Sequence, residues 1–119
     1  MLSKASGLLR NWLNAVASNI YIERLKMTIE QLHRCTAEHV ATAPVHEVFN
    51  GKTVWEGDVE IFRIEKHPRA KRCFAWSHRE GEDEKGERIV TVLEIPPVVS
   101  PQTAVRLQIV KDVKDSYSK

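Results

Sequence analysis

The sequence predicts an α+β fold: N-terminal helices, a four-stranded and mainly antiparallel sheet, and a C-terminal helix, the helices covering one face of the sheet. Three observations predict it. Between Leu8 and Thr42 there is neither proline nor glycine, and apolar residues recur every three or four positions. From Val48 to Ile95 the pattern changes to β-rich runs separated by turn residues, with Asn50-Gly51 as the clearest of them. Ser100-Pro101 then opens a second helical stretch, with serine placed to cap and proline at the first position, where its missing N–H is not needed.

A chain of 119 residues predicts one domain, 1–119, divided into a helical N-terminal segment (residues 1–42), a sheet (43–97) and a closing helix (100–113). With 42% hydrophobic and 29% charged residues it matches ordinary globular proteins, and disordered, collagen-like and membrane-spanning classes are set aside. No window approaches about 18 uninterrupted apolar residues, so no membrane span is expected. A core of apolar residues suffices at this length without a disulfide or metal staple. Cys35 and Cys73 are therefore read as reduced thiols. Arg10, Asn11 and Asn14 interrupt any leader-like apolar run, and a cytoplasmic location is the expectation.

Eighteen basic and sixteen acidic residues leave a net charge of +2, which gives no electrostatic case for nucleic acid as a partner. The charge is uneven. Residues 1–26 hold Lys4, Arg10, Arg24 and Lys26 against Glu23, a net +3, so the remainder sums to about −1.

The apolar series Leu9, Leu13, Val16, Ile20 and the series Ile22, Leu25, Ile29, Leu32 are each helical but out of phase with one another. The phase change falls at Ser18 and Asn19, good N-cap residues, and predicts two helices over 4–17 and 20–41. A rival start lies at Thr28, where Thr28 and Gln31 form a capping box. Asn50-Gly51 predicts a two-residue hairpin turn leading into a long strand, 54–64, with Gly57 as a bulge or close-approach point. Along it Trp55, Val59 and Ile61 alternate with Glu56, Asp58 and Glu60, which gives an apolar face and a carboxylate face. The third strand, 73–78, puts Phe74, Trp76 and His78 on one face. Residues 79–86 form a polar hairpin tip, and 88–95, apolar on both faces, reads as an inner strand ended by Pro96 and Pro97.

Candidate chemistry is sparse. His33, Cys35 and His39 are metal-ligand types, but on a helix only Cys35 and His39 share a face, so neither a metal nor any other cofactor is expected. Cys73 with His46 or His78 has the residue types of a thiol–imidazole pair, yet Cys73 and His78 fall on opposite faces of one strand. His46 or His78 with Glu56 and Asp58 could supply an acid and a base. The loop 67–72 concentrates Arg69, Lys71 and Arg72, which suit an acidic partner or the chain's own carboxylate face. Trp12 lies with Leu9, Leu13, Val16 and Ile20 on the apolar stripe of the first helix, which can fold back or pair with a second copy.

No complete catalytic set is present. The expected function is a small non-enzymatic binding or accessory domain that self-associates, as a homodimer or with a protein partner. Its surface would be the open sheet face (Glu56, Asp58, Glu60) or the amphipathic first helix. A small hydrolase using a histidine with Glu56 and Asp58 is the alternative, and nucleic-acid binding through 67–72 the third reading.

Overall fold

A computed structural model describes residues 2–79 and 87–117, with side chains from 15 to 77 and from 88 to 115. The elements run α1 (Leu2–His33), β1 (Thr36–Phe49), β2 (Lys52–Glu65), β3 (Arg72–Arg79), β4 (Glu87–Leu93) and α2 (Pro101–Tyr117). The fold class is α+β, as the sequence predicts. The polar tip expected at 80–86 lies outside the described residues.

The N-terminal region differs from the expectation in two ways. First, α1 is one continuous helix through Ser18 and Asn19, both exposed. Neither residue is a breaker; on a solvated face each costs only about 0.5–0.7 kcal/mol relative to alanine. Thr28 caps nothing, since its hydroxyl donates to the Arg24 carbonyl one turn back at 2.8 Å. Second, the helix stops at His33, where Arg34 turns into the left-handed region at φ 52, and residues 36–42 are strand instead of helix.

The reason lies in the hairpin. Asn50 and Gly51 both have positive φ (52 and 76) and join Phe49 directly to Lys52, the two-residue turn the sequence predicts. A fourteen-residue β2 then needs an equally long partner, and pairing proceeds from Phe49↔Lys52 back to Thr36↔Glu65. Absence of proline and glycine allowed helix at 36–42; ladder hydrogen bonds and β-branched Thr36, Val40 and Thr42 decide for strand.

The strand order is β1-β2-β3-β4 and all neighbours are antiparallel. β4 is therefore an edge strand, not an inner one. Its two apolar faces have a different cause, because the two helices lie on opposite sides of the sheet. On one side Leu25 and Ile29 of α1 pack with Phe62, Ile64, Cys73 and Ala75, and Ile89 and Leu93 join them. On the other, Ala104 and Val105 of α2 pack with Val59, Ile61, Phe74, Trp76 and Val90. The expectation of helices on one face and an open second face is thus corrected. Four consecutive β2 residues, Val59 to Phe62, are buried, and consecutive strand side chains alternate sides, so both sides are covered there.

A bulge at Val40, between the pairs His39↔Phe62 and Ala41↔Ile61, shifts β1 by one residue. Before it Cys35 and Ala37 face α1; after it Ala43 and Val45 join the cluster under α2. Gly57 is no bulge. It is a close-approach point, where an added Cβ would lie 3.1 Å from the Trp55 ring, and that ring in turn meets Trp76 edge-on at 5.8 Å.

α2 is fixed at its start as predicted. The Ser100 hydroxyl accepts from the Thr103 N–H at 3.1 Å, and the Thr103 hydroxyl accepts in return from the Ser100 N–H at 2.9 Å. Arg106 then reaches back to buried Glu47 on β1 at 2.8 Å.

Candidate functional site

Two surfaces among those that the described residues leave exposed are the candidates, once the sheet is covered on both sides. One is a cleft at the end of the sheet where β2 leaves β3. Their ladder spans only Glu60–Arg63 against Arg72–Ala75, so the outer half of the β1–β2 hairpin diverges. Tyr21 of α1 bridges the gap, its hydroxyl accepting from the Ser77 N–H at 3.0 Å. Beneath it lies a cleft of about 560 Å³ lined by Ser18, Tyr21, Glu56, Asp58, Glu60 and Ser77.

The carboxylate face read from the sequence is therefore real, but its three members differ. Glu56 and Asp58 are exposed, whereas Glu60 is only 5% exposed. One Glu60 oxygen takes a hydrogen bond from the Thr42 hydroxyl and lies 2.9 Å from His39 Nε2. His39 also stands edge-on to Phe62 at 5.3 Å. Sequence reasoning missed the trio of His39, Thr42 and Glu60 because it placed His39 on a helix. No count along the sequence finds it: counting back from the Asn-Gly turn sets Thr42 opposite Val59, and the register shift between Glu47 and Val48 is what moves it opposite Glu60.

The same register sets His46 opposite Glu56 and brings together two of the acid–base candidates, while the His46 ring is engaged with Thr53 at 2.7 Å. The side chains of His78 and Trp12 lie outside those described. The chemistry assembled here is limited. A carboxylate can orient His39, but the nearby Thr42 hydroxyl gives its proton to that carboxylate and sits 3.5 Å from the same ring nitrogen. No hydroxyl–imidazole–carboxylate relay results.

The cysteines have no exposed thiolate. Burial pushes the Cys73 thiol up to about 12, neighbouring Cys35 adds to this, and a hydrogen bond from Val92 opposes it. Burial also raises Cys35, with Glu30 adding to the effect. His33 is occupied with Thr91 at 2.8 Å. Among the described residues no group of three His, Cys, Asp or Glu side chains is placed to hold a metal ion.

The basic loop is a turn organised by its own histidine. His67 Nδ1 accepts from the N–H groups of Arg69 and Ala70 at 3.1 and 2.9 Å. Arg69 and Lys71 are exposed, and Arg72 pairs with Glu94 at 3.0 Å rather than with the carboxylate face. Phe74 and Trp76 are buried under α2. They offer no platform for stacked bases beside this loop.

The second surface is α1 itself. A helix advances about 100° per residue, so Tyr21, Ile22, Leu25 and Ile29 face the sheet while Val16, Ile20 and Met27 fall on the opposite side. That side is bare: Val16, Ile20 and Met27 are 36%, 57% and 54% exposed. In the sequence Leu9 and Leu13 hold the preceding positions of the same series. The phase change at 18–19 marks a change of face and not a break in the helix. Comparison with protein-family models, curated proteins and solved structures finds no match.

Proposed function

We propose that this chain is a non-enzymatic association module in which the outward stripe of α1 binds a second copy. The observation that carries the reading is a single helix with two apolar stripes on opposite sides, only one of which the sheet uses. A helix apolar on two sides in water has a second packing partner as its stable arrangement. Burying a side chain of this kind is worth roughly 1.5–3 kcal/mol, so a few such residues from each copy reach micromolar affinity after the cost of association. No helix among the described residues is long and apolar enough to cross a membrane.

Sedimentation equilibrium at tens of micromolar tests the reading. The native chain should behave as a dimer. Ile20→Glu should raise the dissociation constant roughly a hundredfold or more, since it places a charge in the seam, while far-UV dichroism stays unchanged. A native chain that is strictly monomeric, whether or not it binds anionic vesicles, would overturn the proposal.

A further inference from the structure

We infer that the second copy's α1 runs antiparallel, in a register centred between Asn14 and Ala15; this rests on the self-association proposed above. In the sequence the stripe of Val16, Ile20 and Met27 continues at sevens in two interleaved series, Leu2, Leu9, Val16 and Leu13, Ile20, Met27. Their alternating steps of three and four are those of the two seam positions in a coiled coil. The stripe has two polar interruptions, Ser6 and Glu23.

Those interruptions choose the direction. In a parallel, in-register pair Glu23 meets Glu23 inside a seam that association dries, and like charges there repel at their strongest. In the antiparallel register Leu2 lies against Met27, Leu9 against Ile20 and Leu13 against Val16. Glu23 then falls opposite Ser6, whose hydroxyl can donate to the carboxylate.

The backbone agrees. Antiparallel pairing opposes the two helix dipoles and places the two sheets, which hold residues 21–29 of each α1, at opposite ends instead of side by side.

Cysteine cross-linking in the full chain tests the register. Leu9→Cys and Ile20→Cys variants are prepared separately, mixed, and oxidised mildly, with the native chain and its buried Cys35 and Cys73 as the blank. The mixture should form a cross-linked dimer at least tenfold faster than either variant alone. Leu2→Cys with Met27→Cys repeats the measurement at the next layer, so that a misfolding variant does not decide the matter. If each variant cross-links with itself as fast as the mixture does, the helices are parallel and the register is wrong, although self-association stands. If nothing cross-links while sedimentation still shows dimers, the seam is not the interface and this inference falls. A strict monomer removes both.

Discussion

Arg34 ends α1 in the left-handed region at φ 52, a conformation that costs a residue with a Cβ about 1 kcal/mol or more and glycine almost nothing. Arg34→Gly should therefore raise the unfolding free energy by roughly 0.5–1 kcal/mol, read as a higher urea midpoint. An unchanged or lower midpoint would show that the Arg34 side chain holds something the backbone argument ignores. The same position shows why the helix end was hidden. At Asn50-Gly51 residue chemistry and backbone agree, and the turn is legible from two letters. At Arg34 the backbone adopts the glycine conformation without glycine, because the pairing of β1 demands it from a distance. His39, Thr42 and Glu60 follow from that pairing, so they were out of reach of any local pattern.

At the scale of elements, α2 was the most legible because its signals are local. Ser100 and Thr103 exchange side-chain and backbone hydrogen bonds, and Pro101 follows the cap. Ser100→Ala should destabilise the chain by about 1 kcal/mol, while Ser100→Asp should keep most of the native midpoint. Loss on both substitutions would mean that the hydroxyl's exchange with Thr103, and not capping as such, matters. α1 was legible as helix but not as one helix. Two phases of apolar residues read as two segments when a single partner is assumed, and as two faces when there are two. β2 was legible in its alternation, yet the alternation alone does not say that Phe62 and Ile64 on the carboxylate side are buried beneath α1.

For the whole molecule the sequence conveyed the fold class and the element order after β1, but not which side of the sheet each helix takes, since that depends on how the connections cross the sheet. The two sides also titrate separately. On the α1 side, burial and then the neighbouring His67 hold His33 below its ordinary value of 6.5. Its folded form resists a proton that the unfolded chain accepts, so stability is full above about pH 6.5 and falls as the pH drops through that value. On the α2 side, burial alone would raise Glu47, but hydrogen bonds from Arg106 and Gln102 and the charges of Arg106 and His46 outweigh it and hold it below its ordinary 4.5. Its contribution is full above about pH 4.5 and is lost as the pH falls below that. Urea midpoints measured from pH 8 to pH 3 should therefore decline in two stages. His33→Gln should flatten the first and leave the second, and an unaltered slope between pH 7 and pH 5 in that variant would refute the assignment.

The bulge at Val40 gives the molecule a diagonal build. Because β1 changes sides there, the cluster under α1 draws on its beginning and the cluster under α2 on its later half. Each helix consequently grips a different end of the sheet as well as a different side. A load carried by α1 therefore meets the sheet at Phe62, Ile64 and Cys73, and one carried by α2 meets it at Val59, Ile61 and Trp76.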